Sequence, residues 1–272
     1  MKQGGLGARL TVALVGGPPV LVLTWLGGWW TAGMIAVIAL QAQSEYYSLQ
    51  RGLDRRPMRW LGLVLGLLVV VAWLLSPTRL GWVVVISFLV VSIAGLLVGR
   101  SHLDILTTFG GVCFPPLLAG SFILIRAWSG GDDLIQNEGR WLALCIWGAL
   151  WVGDTAAYAG GSWFGRRPLA PRVSPHKTVE GFLIGLLFAL MFCLLWWRLG
   201  LARLDTALAV GLAAGLFGQM GDLVESAIKR EGRVKDAGRL LPGHGGLLDR
   251  FDSFFAAAPI VAVYLTICRY IT

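Results

Sequence analysis

The sequence predicts an all-α, polytopic integral membrane protein with about nine transmembrane helices, and three observations carry that prediction. Of 272 residues, 56% are hydrophobic and only 14% are charged, against roughly 25% charged in soluble domains. Mean hydropathy is +0.71. Apolar runs recur that are long enough for a hydrocarbon slab of about 30 Å, which takes about 20 helical residues to cross. The runs are continuous and rich in Leu, Val, Ala and Gly. They lack the alternating polarity of a membrane barrel and read as helices.

The predicted spans, in order, are 10–27, 29–49, 60–75, 81–98, 105–126, 141–160, 181–199, 205–224 and 254–271. The first follows Lys2 and Arg9, but no small-x-small cleavage site comes after it and a second apolar run begins at once. It is expected to be a retained span, kinked at Pro18 and Pro19, rather than a signal peptide. The second ends in Glu45-Tyr46-Tyr47, and these tyrosines, with the many Trp, are expected in interfacial belts. Gly211, Gly215 and Gly218 smooth one face of the eighth span for close helix packing. Cys113, Cys145, Cys193 and Cys268 are too scattered for a zinc or redox site and read as packing residues. No internal repeat or linker divides the chain. One membrane-embedded domain over 1–272 is expected, with N-terminal spans at about 10–126 and a catalytic half at about 141–272.

Net charge is +8, from 23 Lys and Arg against 15 Asp and Glu. The excess falls in alternate connections. Arg51, Arg55, Arg56, Arg59, Arg100, Arg166, Arg167, Arg172 and Lys177 lie on one side with the N-terminus, joined by the basic residues between Lys229 and Arg250. Arg79, Arg126, Arg140, Arg198, Arg203 and Arg269 lie on the other. Such a bias places the first side in the cytoplasm, and it accounts for the charge without nucleic-acid binding. The acidic outer loop near 127–140, with Asp132, Asp133 and Glu138, reads as solvated. The inner connections 161–180 and 225–253 are longer and more polar than loop closure requires, so function is expected there.

The stretch from Gly221 to Asp252 crowds carboxylates and Lys or Arg beside a membrane span, which calls for a reason. On a helix continuing past Lys229, Asp222, Glu225, Ser226 and Lys229 share one face. That stripe suits a divalent cation carrying phosphates, with hard oxygen ligands and a point cation. A plain Glu225–Lys229 pair on a wet helix end is the alternative. Leu241-Pro242-Gly243-His244-Gly245-Gly246 cannot be ordinary helix interior. It predicts a shaped loop able to approach phosphate, ahead of a helix starting near Leu247 whose N-terminal dipole would face that anion. Asp249, Arg250 and Asp252 follow within a turn, so a second carboxylate can meet Asp222. Two carboxylates from different helices suffice to hold one or two Mg²⁺ on a nucleoside triphosphate.

Ser226-x-Ile228-Lys229-Arg230, Lys235-Asp236, Gly238, Pro242, His244-Gly245-Gly246 and Asp249-Arg250-Phe251-Asp252 together resemble the C-terminal motif of the phosphatidate cytidylyltransferases, or CDP-diacylglycerol synthases. A second block is similar to the same family: Asp154, Ala157-Tyr158, Gly160-Gly161, Phe164-Gly165 and Ser174-Pro175-His176-Lys177-Thr178-x-Glu180-Gly181. Glu45-Tyr46-Tyr47 forms a weaker third. His176 departs from the pattern, which more often has Lys there, as do Leu183-Ile184, where Gly is commoner.

The resemblance implies Mg²⁺-dependent transfer of the cytidylyl group of CTP to phosphatidate, giving CDP-diacylglycerol and pyrophosphate. It implies Asp222 and Asp249 as metal ligands, with Asp252 and Asp236 as second choices. Asp222, Ser226, Lys229 and Asp249 form the expected catalytic set, with Ser226 a hydroxyl ligand or phosphate donor. Lys229, Arg230, Lys235 and Arg250 would bind the phosphates, and Ser174 and Lys177 would contact phosphate from the other loop. His244 is either a phosphate donor or a structural hydrogen-bond partner. Asp154 and Glu180 are expected to order the basic residues, and Arg233 and Arg239 to lie on a solvated face. The expected partners are CTP, phosphatidate and membrane lipid, with a homodimer allowed. The expected location is the bacterial cytoplasmic membrane, with N-terminus and active site in the cytoplasm. Three alternatives stay open: a CTP-dependent transferase acting on an ether or isoprenoid lipid phosphate, a polyprenol kinase, and an anion transporter. The last would be expected to place ionisable groups at the bilayer midplane.

Overall fold

The computed structural model describes residues 6–129, 137–238 and 245–271, with side chains over 16–129, 137–238 and 245–268. Lys2, Asp132, Asp133, Arg239, Pro242 and His244 lie outside the described residues. Two compact units emerge: residues 1–124 with 228–251, and residues 125–227 with 252–272. Each therefore takes a piece from both halves of the sequence.

The first unit contains α1 (Leu6–Leu26), α2 (Gly28–Arg51), α3 (Arg59–Leu75), α4 (Leu80–Leu97) and α5 (His102–Val112). A π-helical turn, Cys113–Leu117, leads from α5 into α6 (Leu118–Arg126). Pro115 and Pro116 sit in that wide turn, as a proline without N–H demands. Ser101 and Asp104 close a capping box at the start of α5. Leu65, Val69, Val91 and Val112 form the apolar core.

Tyr47 corrects the interfacial reading. It is fully buried, its hydroxyl donates to the Thr108 carbonyl at 2.7 Å and accepts from Gln43 Nε2 at 3.0 Å. Gln43 Nε2 also donates to the Gly62 carbonyl at 2.8 Å. A buried hydroxyl needs such partners, and Gln43 of α2 and Thr108 of α5 supply them here.

The second unit contains α7 (Glu138–Phe164), a two-stranded antiparallel hairpin of β1 (Pro168–Ala170) and β2 (Ser174–Thr178), and α8 (Val179–Arg198). Then come α9 (Leu204–Leu212), a π-helical turn at Ala213–Gly218, α10 (Gln219–Glu231) and α11 (Leu248–Ile271). Chain connectivity carries α6, α10 and α11 from one unit into the other. The hairpin adds two short strands to the all-α expectation, within the connection 161–180. Its segment is polar and punctuated by Pro168, Pro171 and Pro175, which favour extended backbone. Trp147 stacks on Phe254 at 4.5 Å in the core of this unit. Gly211 and Gly215 face Leu190 and Leu186 of α8, where added Cβ atoms would meet the α8 backbone at 3.1 and 2.8 Å.

Among the described residues, six helical segments are long and apolar enough to cross a membrane: Pro77–Leu97, His102–Arg126, Glu138–Phe164, Val179–Arg198, Leu204–Glu231 and Leu248–Cys268. That is the pattern of an integral membrane protein. The expected spans 10–27, 29–49 and 60–75 coincide with helices but fall short of this measure. Only Gly16–Leu26 is fully described in the first, α3 is short, and α2 carries polar Gln41, Gln43, Ser44 and Glu45 in its apolar run.

Candidate active site

In the second unit, α10 projects Asp222 and Glu225 from one face, three residues apart, and α11 brings Asp252 to meet them. Oxygen atoms of the three carboxylates lie within 4.8 Å of one another. Gly221 permits the approach. A Cβ there would stand 2.7 Å from the Asp252 carbonyl oxygen and 2.7 Å from Ala256 Cβ. Glu225 is fully buried. Asp154 of α7 adds a fourth carboxylate that interacts electrostatically with Asp222, Asp252 and Lys177.

The hairpin delivers a cation to this cluster. Lys177 Nζ lies 2.5 Å from Asp222 Oδ2, with both side chains about one-third exposed or less (29% and 33%). Thr178 caps α8 by accepting from the Gly181 N–H at 3.2 Å. Glu180 accepts from the Arg166 and Arg167 N–H groups at 3.0 and 3.2 Å, which ties the hairpin's approach to the first turn of α8. Glu180 thus orders the backbone of that basic pair. Ser174 is also in β2, but an odd spacing along a strand puts it and Lys177 on opposite faces. Ser226 Oγ donates to Asp222 Oδ1 at 3.3 Å, so its hydroxyl orients that carboxylate.

Carboxylates this close repel one another, and Lys177 offsets the charge of only one of them. Hard oxygen donors on two helices, one of them in a fully buried side chain, are the donor set a divalent cation of the Mg²⁺ or Mn²⁺ type requires. The residues present fit a bound Mg²⁺.

In the first unit, the segment after α10 is organised by two other carboxylates. Asp249 Oδ1 accepts from Lys229 Nζ at 2.8 Å, with side-chain exposures of only 7% and 15%. Its Oδ2 accepts from the Ala237 N–H at 2.9 Å and the Gly246 N–H at 2.7 Å. Glu45 of α2, 5% exposed, accepts from the Leu247 N–H at 3.1 Å and the Leu248 N–H at 2.8 Å. Gly238 and Gly246 make room for it, since a Cβ at either would lie 2.8 Å from Glu45 Oε1. The start of α11 is therefore filled by a carboxylate of the chain itself. The sequence reserved that helix N-terminus for a phosphate, whereas Glu45 satisfies its leading N–H groups and complements its dipole.

The predicted site residues are divided between the two units. Lys177, Asp222, Ser226 and Asp252 come together in the second unit, where Glu225 joins them. Lys229 and Asp249 pair in the first unit. Arg230, Lys235, Asp236 and Arg250 occupy exposed positions, and His244 lies outside the described residues. Sequence reasoning put Glu225 on the stripe with Asp222 without naming it a metal ligand, and gave Glu45 no role beyond its place in a motif block. Glu225 was findable from its position one turn after Asp222. Glu45, by contrast, acts on residues about 200 positions away in the chain, which no local pattern reveals.

A model of the cytidylyltransferase family matches residues 7–268. The chain belongs to the cytidylyltransferase family. Relatives include phosphatidate cytidylyltransferases of Staphylococcus aureus (strain COL), 44% identical over 132 residues, and of Staphylococcus saprophyticus, 43% identical over 133 residues; each match covers 48% of this chain and 51% of the relative. That of Staphylococcus haemolyticus is 42% identical over 132 residues with the same coverage. The chain spans about half the length of the curated relatives it matches.

Proposed function

We propose that the protein transfers the cytidylyl group of CTP to phosphatidate, releasing pyrophosphate and forming CDP-diacylglycerol. The observation that carries this reading is the Asp222–Glu225–Asp252 cluster with Lys177 on Asp222, set in a chain of the cytidylyltransferase family. A phosphatidate oxygen attacks the α-phosphorus of CTP. The bond from that phosphorus to the bridging oxygen of the β-phosphate breaks, and pyrophosphate leaves with its electron pair. No strong base is required, because a phosphate monoester is already ionised near pH 7. Positioning and charge neutralisation supply the catalysis.

Asp222, Glu225 and Asp252 would hold Mg²⁺, which when bound neutralises charge on the triphosphate and the departing pyrophosphate. Lys177 brings a compact ammonium to the same place, suited to phosphate oxygens as a point charge. Ser226 is a positioning residue that fixes the Asp222 carboxylate. We read Asp249, held by Lys229 and two amide groups, as shaping the loop ahead of α11 rather than as a metal ligand. The bias of Lys and Arg supports a cytoplasmic site, where CTP is found, in a bacterial inner membrane.

The test follows the broken bond. Purified protein in detergent receives phosphatidate, Mg²⁺ and CTP labelled at either the α or the γ phosphorus. The α label is expected in the lipid and the γ label in pyrophosphate, both requiring Mg²⁺. Transfer of γ label to the lipid with release of CDP would instead establish a kinase.

A further inference from the structure

The first unit carries an open concavity of about 480 Å³ lined by Arg51, Asp54, Arg55, Arg56, Pro57 and Arg100, none of which belongs to the groups assigned above. Four arginines line it beside one aspartate. Among the described residues, none of the four arginines forms an ion pair within 4.0 Å. Arg100 Nε is buried without a hydrogen-bond partner. Asp104 lies close enough to act on Arg100 electrostatically, but its carboxylate already accepts from the Arg56 N–H at 2.7 Å and the Ser101 N–H at 3.2 Å. Concentrated positive charge in a concave site attracts an anion, and planar guanidinium forks match phosphate oxygens in pairs.

The walls are built rather than loose. The bond from Arg56 to Asp104 and another from the Met58 N–H to Thr108 Oγ1 at 3.0 Å pin the α2–α3 connection to α5. Asp54 at φ 57° and Gly99 at φ 66° turn the two connections sharply. The adjoining surface is apolar: Leu96, Leu97 and Val98, directly before Arg100, are 77%, 80% and 64% exposed, and Trp60 is 77% exposed. A soluble anion has no use for that surface, whereas a phosphate carrying acyl chains does.

We propose that this cavity binds the phosphate headgroup of an anionic phospholipid, with its chains against the exposed end of α4. This proposal does not rest on the reaction proposed above. Native mass spectrometry of the full chain in detergent, with dioleoylphosphatidylglycerol as probe and dioleoylphosphatidylcholine as zwitterionic control, tests it. Losing two cations near an anionic headgroup should weaken binding about 30-fold. The expectation is that Arg55→Gln with Arg100→Gln loses phosphatidylglycerol adducts to that extent and keeps phosphatidylcholine adducts. Arg166→Gln with Arg167→Gln, exposed basic residues elsewhere, should stay within about twofold of the parent. Equal losses in both double variants, or none in the first, would overturn the proposal. If the first variant fails to fold, Arg51→Gln with Arg56→Gln serves the same comparison. Glycerol 3-phosphate in tenfold excess should leave the lipid adduct in place; displacement would assign the cavity to soluble phosphate esters and sink the lipid reading.

Discussion

Replacing Glu45 with Gln keeps the shape of the side chain and removes one negative charge from the start of α11. In the structure that carboxylate accepts from the Leu247 and Leu248 N–H groups at 3.1 and 2.8 Å, and from Gln41 Nε2 at 3.1 Å. Hydrogen bonds to a charged group contribute about 1.5–3 kcal/mol against about 1 kcal/mol for neutral ones, so converting two of them costs about 1–1.5 kcal/mol each. Gln can also present an N–H where an acceptor is needed, and the helix dipole loses its complement. A total of about 2–3 kcal/mol corresponds to a rise of about 30- to 140-fold in the local opening equilibrium. Hydrogen exchange of peptides spanning 245–252, in detergent, reads that directly. Turnover should fall as well, because the same first turn of α11 carries Asp249, which holds Lys229. Exchange within threefold of the parent would refute the reasoning, since the carboxylate would then not be what holds these N–H groups.

Two further predictions separate the roles of the carboxylates. Glu225→Gln should raise the Mg²⁺ concentration for half-maximal turnover at least about tenfold, the minimum seen even for groups one step removed from a metal. Asp249→Asn should leave that concentration unchanged while costing about 3 kcal/mol of stability by breaking the mostly buried pair with Lys229; a Mg²⁺ titration of turnover beside a denaturation curve distinguishes the two, and a matching Mg²⁺ shift in Asp249→Asn would make it a ligand after all. Gly221→Ala should cost about 1–3 kcal/mol by pushing α11 away, because the new Cβ would stand 2.7 Å from the Asp252 carbonyl oxygen. The Mg²⁺ requirement should rise with it, and unaltered stability would count against the close approach of the two helices.

The positions of helices were legible because hydropathy is a sum over many residues, and every predicted span coincides with a helical segment among the described residues. The stripe of Asp222, Glu225 and Ser226 was legible for a similar reason, since helical period alone puts them on one face. Which carboxylate completes that stripe was not. Asp249 and Asp252 are three residues apart near the start of one helix, and the sequence preferred the first as a ligand. A side chain's partners depend on which neighbour each turn of α11 meets, and Gly221 admits the turn that carries Asp252. Asp249 instead turns to Lys229 and to the N–H groups of Ala237 and Gly246. Glu45 shows the same limit at longer range. Its motif block resembled that of the family, but its role arises only where α2 reaches the start of α11. The glycines at 238 and 246 are small because Glu45 occupies the space a side chain would need. What looked like flexible backbone for a phosphate is, at those two positions, room for a carboxylate from another helix.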